Sequence, residues 1–131
     1  MKNLCAALML LATAYPAAAD PARDAILKNL ANQASVSSFS AAAGKAFFQG
    51  THQGGKPESP SCTSCHTKNP TKQGRTRIGK IIEPMAVSVM PSRFTDPEKV
   101  DKWFRRNCNS VLGRECSANE KGDILTYLMT Q

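Results

Sequence analysis

The run Cys62-Thr63-Ser64-Cys65-His66 constrains the fold of this chain more than any other feature of its sequence. Its C-x-x-C-H spacing is that of covalent haem attachment in c-type cytochromes. Thiols on a single helical turn can add to the vinyl groups of a haem, and the histidine that follows them can ligate the iron. We therefore predict one covalently bound haem c, attached through Cys62 and Cys65, with His66 as the proximal iron ligand.

Other uses of paired cysteines fit the sequence less well. A thioredoxin-like redox pair lies between a strand and a helix, and no strand is indicated before Cys62. A structural zinc site needs a second ligand pair with matching spacing, which Cys108 and Cys116 do not provide. A haem would also compensate for a lean core, because the hydrophobic residues are concentrated near the start of the chain.

The first 19 residues have the pattern of an export signal. Lys2 lies in a short polar region, residues 4–14 are largely apolar, and the alanines that end at Ala19 fit the small-residue cleavage rule. This apolar run is too short to span a membrane. We expect a signal peptide over residues 1–19, cleaved after Ala19. Residues 20–131 are then a monohaem cytochrome c domain in the periplasm that does not span a membrane.

The net charge of +7 suggests a negatively charged partner. Export argues against nucleic acid, and no aromatic residue interleaves the basic stretch, as base stacking would require. The cations between residues 68 and 80 fit either a solvated loop or a docking rim. As a docking rim, they would meet a redox partner protein with an acidic face, and we expect that partner to be another cytochrome.

Helical patterns cover much of the chain after the signal, whereas no stretch shows sustained strand alternation. We predict helices over residues 21–34, 40–49 and 95–107, and a last helix that opens at Ser117. Capping-box pairs, Thr95 with Glu98 and Ser117 with Glu120, indicate where the two later helices begin. The predicted fold class is all-α with long connections.

Cys108 and Cys116 remain after the signal and the C-x-x-C-H motif are set aside. In an oxidising compartment, two such cysteines are expected to form a disulfide rather than to stay as free thiols. Closing this short loop would stabilise the fold by roughly 2–3 kcal/mol in the chain-entropy model.

Function depends on the sixth position of the iron. The candidates are Met85, Met90, Met129, His52, Asn107 and an open site. Met90 lies in an irregular, proline-flanked stretch downstream of His66, where electron-transfer cytochromes c often carry a methionine ligand. His52 is the only other histidine, and its glycine-rich loop suggests an exposed side chain.

Asn107 is the other strong candidate. It ends a helical stripe of Val100, Trp103 and Phe104, whose apolar members should face the core. A buried amide needs a partner, and the iron could supply it. The competing interpretation is that Asn107 simply caps the C-terminus of its helix. From residue patterns alone, Met90 and Asn107 are equal candidates.

Several segments carry a family resemblance. They are GGKP at residues 54–57, CTSCH at 62–66, GK at 79–80, RFTD at 93–96 and, most specific of all, RNCNSVLGREC at 106–116. Together they resemble the sphaeroides haem protein family, which consists of oxygen-binding, class-I-like monohaem cytochromes c. The resemblance covers about residues 43–131.

The resemblance implies an all-α, class I cytochrome c-like fold around one covalently bound haem c. It also implies that Asn107 ligates ferric iron and leaves on reduction, so that the open ferrous site can bind diatomic gases such as O2 or NO. In the family, the cysteines at the positions of Cys108 and Cys116 form a disulfide. The related cytochrome c double-prime has histidine where this chain has Asn107, so bis-histidine ligation is not implied.

We therefore expect a periplasmic monohaem cytochrome c that exchanges electrons and binds O2 or NO at a redox-gated sixth position. The alternative is a conventional electron carrier ligated by His66 and Met90. An enzyme such as a peroxidase would need a distal acid–base residue, for which His52 is the candidate. A redox and oxygen-binding protein is thus favoured over an enzyme with its own turnover.

Overall fold

The computed structural model describes residues 19–131, so all of the predicted signal peptide except Ala19 lies outside the described residues. The elements are, in order, α1 (Pro21–Ala34), α2 (Ala41–Gln49), α3 (Thr63–His66), β1 (Gly74–Arg75), β2 (Ile81–Ile82), α4 (Pro97–Leu112) and α5 (Ala118–Met129). The helical prediction is confirmed, with one small addition: β1 and β2 form an antiparallel hairpin. No helix within residues 19–131 is long and apolar enough to cross a membrane.

The first two helices begin where the sequence predicts. Asp20 caps α1 by accepting hydrogen bonds from the backbone N–H groups of Ala22 and Arg23, at 2.9 and 3.3 Å. Ser40 caps α2 through the N–H of Ala43, at 3.1 Å. Each cap satisfies backbone donors that a helix start leaves without an internal partner.

The predicted bounds of α4 are wrong at both ends. Asp96, not Thr95, is the N-cap, because its carboxylate accepts from the N–H of Lys99 at 3.1 Å. The helix continues beyond Asn107 to Leu112 and ends at Gly113, whose φ of 69° is left-handed. Glycine adopts this conformation at little cost, so Gly113 is the natural stop and Asn107 is not a helix cap.

The core lies where α5 packs against α1 and α2. One cluster consists of Phe48, Ile124, Tyr127 and Leu128, and the other of Ile26, Leu30 and Leu125. A Cβ on Gly44 would lie 1.9 Å from the backbone oxygen of Asp123, so α2 and α5 approach this closely only because residue 44 has no side chain. The Ser117–Glu120 capping box that opens α5 is present as predicted.

Candidate haem site

The C-x-x-C-H motif folds into α3, a single helical turn. The N–H of His66 donates to the carbonyl of Cys62 at 3.0 Å, which closes the turn. Buried Ser61 anchors its start: its Oγ accepts from the N–H of Thr63 at 3.2 Å and donates to the carbonyl of Phe48 at 3.4 Å. The motif is therefore fixed both to itself and to the end of α2.

The His66 ring is held against the core. Its centroid lies 6.1 Å from that of Phe48, and its Nδ1 is buried with no hydrogen-bond partner in residues 19–131. Burial, and secondarily the positive charge of Arg93, lowers the pKa of His66 to about 4. The ring is thus neutral near pH 7, and neutral imidazole is the form that ligates metals.

The two cysteines of the motif are half-buried and not joined to one another. Burial raises the pKa of Cys62 to about 11, and the neighbouring Cys65 contributes in the same direction. Zinc ligation and thiol redox chemistry both need a thiolate, which this environment disfavours. An uncharged thioether suits it better. In addition, residues 19–131 contain no group of three or more His, Cys, Asp or Glu that could hold a metal ion.

A patch of half-buried apolar side chains borders the Phe48 cluster, and the motif joins this patch through Cys62. Phe47, Cys62, Met85, Phe94 and Phe104 all pack against the Phe48 cluster. A flat apolar group laid over them would exclude water from these surfaces, which is favourable in proportion to the area covered. Together with the unpartnered Nδ1 of His66, this patch shows that the residues present fit a haem.

The segment that carries both central methionines is tied to the chain just after His66. The N–H groups of Met85 and Ala86 donate to the carbonyl of Pro70, at 2.9 and 3.0 Å. Met90 continues from this anchored turn, because its N–H donates to the carbonyl of Ala86 at 2.9 Å. The structure thus places Met85 and Met90 in a segment whose backbone is anchored to Pro70, four residues after His66.

Two arginines, Arg23 and Arg93, hold the C-terminal end of this segment in place. Sequence analysis did not predict this role for either of them. The Nε of Arg93 donates to the carbonyl of Pro84 at 2.9 Å. Buried Arg23, on α1, donates to the carbonyls of Pro91 and Arg93 at 2.7 and 3.1 Å. Arg93 matters electrostatically as well, since its charge acts on His66. A buried arginine directed at backbone carbonyls leaves no periodic signal in a sequence.

His52 is half-buried, contrary to the exposed position expected from its loop. Its Nε2 donates to the carbonyl of Phe47 at 2.8 Å, and the two rings lie 4.5 Å apart. The side chain therefore satisfies the C-terminal end of α2.

On α4, the predicted stripe divides into two. Val100 and Phe104 pack against the Ile26 cluster, but Trp103 is 47% exposed, so the prediction that it faces the core is wrong. The guanidinium of Arg106 lies 5.2 Å from the Trp103 ring centroid instead. Asn107 is exposed, and within residues 19–131 its side-chain amide has no hydrogen-bond partner.

The angular spacing of residues around a helix explains why Phe104 is packed whereas Trp103 and Asn107 are exposed. At about 100° per residue, Trp103 lies about 60° to one side of Val100, and Phe104 lies about 40° to the other. Asn107 falls about 20° from Val100 on the Trp103 side, at the border of the buried face. The same helix therefore turns Phe104 into the core and leaves Asn107 open.

The end of α4 next to Asn107 is tightly fixed. Cys108 and Cys116 are both buried and are joined to each other in the structure. The loop that carries Gly54 and Gly55 lies against the same end, and a Cβ on Gly55 would come 2.3 Å from the carbonyl oxygen of Ser110. This contact gives a physical reason for the paired glycines of the GGKP segment.

Comparison with known proteins identifies the class. A family model described as a domain of unknown function (DUF1924) matches residues 34–128. The cytochrome c-type protein SHP of Cereibacter sphaeroides is 53% identical over 88 residues, which cover 67% of this chain and 68% of the relative. Cytochrome c'' of Methylophilus methylotrophus is 40% identical over 89 residues, which cover 67% of this chain and 62% of the relative.

Solved structures agree. Oxidised SHP, described as an oxygen-binding cytochrome c, superimposes with a TM-score of 0.80 at 45% identity, covering 83% of this chain and 96% of SHP. Oxidised cytochrome c'' from Methylophilus methylotrophus gives 0.71 at 34% identity, covering 84% and 94%. The predicted fold class, family and haem c cofactor are thereby confirmed. The fold and the motif define a c-type cytochrome, and the chain belongs to the DUF1924 family, with SHP and cytochrome c'' as relatives.

Proposed function

We propose that this protein is a periplasmic monohaem cytochrome c that exchanges electrons and binds a small diatomic ligand at a redox-gated sixth position. Cys62 and Cys65 attach the haem covalently, and His66 is the fifth ligand. Asn107 is the sixth ligand in the ferric protein and withdraws in the ferrous protein. When bound, haem c supplies an iron that carries one electron and has one coordination position to spare.

The environment of the motif supports these attachment roles. α3 offers Cys62 and Cys65 on one turn, half-buried beside an apolar patch. The His66 ring is packed against Phe48, which limits its orientation. A fixed, neutral imidazole is suited to remain on the iron through both oxidation states.

The observation that carries the proposal is the position of Asn107. Its amide has no hydrogen-bond partner in residues 19–131, whereas the amide of Asn109, two residues further along α4, donates to the carbonyl of Arg105 at 2.8 Å. Asn107 also lies directly before Cys108, which is joined to Cys116 and fixes this end of the helix. An unengaged amide on a fixed helix can approach a metal without breaking existing bonds.

The chemistry of the amide accounts for the gating. An amide oxygen is a hard, neutral donor and prefers Fe(III), whereas Fe(II) binds soft or π-accepting ligands better. Reduction therefore weakens the hold of Asn107 and frees the position for a ligand such as O2 or NO. The description of SHP as an oxygen-binding cytochrome c supports this assignment.

His52 and the two central methionines differ in how they are held. Backbone hydrogen bonds to Pro70 and Ala86 anchor the segment that carries Met85 and Met90, and Met85 packs against the Phe48 cluster. His52 already donates to the carbonyl of Phe47. The bond of His52 argues against it as a ligand, and the alternative function is a conventional carrier ligated by His66 and Met90.

Absorption spectra of the holoprotein test the two functions directly. The proposed function predicts that adding CO shifts the spectrum of the reduced protein, because its sixth position is open. It also predicts that the oxidised protein lacks the long-wavelength charge-transfer band of methionine ligation. A methionine band when oxidised and no effect of CO when reduced would establish the alternative.

Asn107→Ala provides the residue-level test, with Asn109→Ala as the matched control on the same helix. The Asn107 variant should change the ferric electron paramagnetic resonance signal, bind exogenous ligands faster when ferric and have a higher reduction potential. The control and Met90→Leu should resemble the wild type. If Met90→Leu alters the ferric signal and Asn107→Ala does not, the asparagine assignment is wrong.

A further inference from the structure

The β1–β2 hairpin ends in a tight, well-bonded turn. The N–H of Thr76 donates to the carbonyl of Lys80 at 2.8 Å, and the N–H of Gly79 donates to the carbonyl of Thr76 at 2.9 Å. Gly79 has a φ of 84°, which glycine adopts without strain. Arg75 adds a bond from its guanidinium to the carbonyl of Gly79 at 2.8 Å. These bonds hold the residue at the tip, Ile78, in a defined position.

Ile78 is 92% exposed, about twice the exposed fraction of Trp103 or Val89. A single exposed isoleucine is ordinary on a protein surface. Ile78 differs because it lies at the tip of a turn whose other long side chains are cationic. The side chain therefore projects as an apolar knob from a basic surface.

The cations around the knob remain available to a partner. Within residues 19–131, Lys72, Arg75 and Lys80 form no salt bridge, whereas Arg77 is paired with Glu58 at 2.6 Å. The positive charges of Arg75 and Lys80 in the hairpin, and of Lys72 just before it, match a partner with an apolar pocket surrounded by carboxylates. Like charges would repel a basic partner from this surface.

The base of the hairpin rests on the C-x-x-C-H motif. A Cβ on Gly74 would lie 2.0 Å from the carbonyl oxygen of Cys65 and 3.0 Å from the Cα of His66. A cavity of about 320 Å³ beside this contact is lined by residues of both α3 and the hairpin. A protein bound at the tip would thus be connected to the motif through one short strand.

We propose that the turn at residues 76–80 is the docking element for an acidic electron-transfer protein, with Ile78 as its apolar anchor. The proposal rests on the proposed function, since it requires that the protein exchanges electrons. One electron leaves the reduced partner, which is oxidised, and this protein is reduced by one electron. Lys72, Arg75 and Lys80 steer the encounter, and Ile78 sets how long the complex persists.

Stopped-flow reduction of the oxidised holoprotein by a reduced soluble cytochrome b5 domain, an acidic redox protein, tests the docking element. Ile78→Ser should lower the second-order rate constant about fivefold, because it removes the apolar contact. Val89→Ser is the matched control, since Val89 is also exposed but lies outside the hairpin, and it should leave the rate unchanged. Lys72→Gln with Lys80→Gln should flatten the decline of the rate with added salt.

Reduction by ascorbate, a small molecule, distinguishes failure of the docking element from failure of the proposed function. The Ile78 variant should react with ascorbate as the wild type does, because a small molecule needs no anchor. Wild-type protein that carries no haem, or whose haem neither ascorbate nor the stronger reductant dithionite can reduce, would contradict the proposed function itself. Equal rates for Ile78→Ser and Val89→Ser with the acidic cytochrome, or a wild-type rate insensitive to salt, would overturn the docking element alone.

Discussion

α4 and α5 are both capped helices, of 16 and 12 residues, yet they bury very different shares of their residues. α5 buries six of its 12 residues, whereas α4 buries two of its 16, Cys108 and Val111. α5 packs against both α1 and α2. α4 instead turns one side to the core and leaves the side of Trp103 and Asn107 open. The comparison separates a packed scaffold, formed by α1, α2 and α5, from a site region formed by α3, the hairpin and α4.

Polar groups differ between the two regions in the same way. In the scaffold, buried Asp123 accepts from the N–H of Ser40 at 2.7 Å and from the amide of Asn119 at 3.0 Å. In the site region, the Nδ1 of His66 and the amide of Asn107 have no partner within residues 19–131. Buried polar groups are nearly always paired in proteins, so the Nδ1 of His66 is an exception that fits a site, whereas the amide of Asn107 is exposed to solvent.

The strongest test of the division between scaffold and site region is a substitution that creates a cavity in the scaffold. Leu125 is 1% exposed and packs against Ile26 and Leu30, in the cluster that does not include Cys62. Leu125→Ala should lower the free energy of unfolding by about 3 kcal/mol, through lost burial and the cavity that remains. Urea unfolding measures this loss, and the ferric absorption spectrum should not change. Half-buried Met129, truncated in the same way, should cost less. A spectral change in the Leu125 variant would show that scaffold and site are not separable.

A second test acts on the site region. Replacing Cys108 and Cys116 by serine removes a link between residues eight positions apart. The change should lower the free energy of unfolding by about 2–3 kcal/mol, because the unfolded chain gains freedom. Unlike the Leu125 variant, it should also broaden the ferric electron paramagnetic resonance signal, since the link fixes the end of α4 beside Asn107.

The disulfide itself is checked chemically. Under the proposed function, mature, denatured holoprotein should contain no free thiol, because two cysteines would be bound to haem and two to each other. Titration that finds two reactive thiols would show that Cys108 and Cys116 are reduced in solution.

The sequence predicts the helices of the scaffold more accurately than the elements of the site region. α1 has the predicted bounds, and the capping box at Ser117 is present, because side-chain caps are local signals that sequence displays directly. The end of α4 was missed because Asn107 is a plausible helix stop, while Gly113 was available as a stronger one. The hairpin was missed because strands of two residues are too short to show alternation.

The site was predictable in its residue types but not in its surroundings. The spacing of Cys62, Cys65 and His66 is a local signal, so it could be recognised without a structure. The effect of the Arg93 charge on His66 and the anchoring of Met85 and Ala86 to Pro70 depend on tertiary packing. Periodicity placed Asn107 on a stripe but could not show that the buried face of α4 ends beside it.

The segment between α4 and α5 contains an ion pair whose removal should have the smallest effect on stability. Arg114, in that segment, donates to the carboxylate of Glu120 at 2.8 and 2.9 Å, and this bond is the largest cause that holds the pKa of Glu120 below its ordinary value of 4.5. A lowered pKa in the folded state means that the carboxylate stabilises the fold above the ordinary value. This contribution is lost as the pH falls through the lowered pKa. Because Arg114 is exposed and solvent screens the pair, its contribution to stability should be small. Urea midpoints at pH 7 and pH 3 should therefore differ less in Glu120→Gln than in the wild type.

The matched control is Glu115→Gln. Glu115 is a neighbouring exposed carboxylate without a salt bridge in residues 19–131, so this variant should keep the wild-type difference. If the Glu120 variant also changed the ferric signal, the start of α5 would belong to the site region, and the boundary between the two regions would have to be moved.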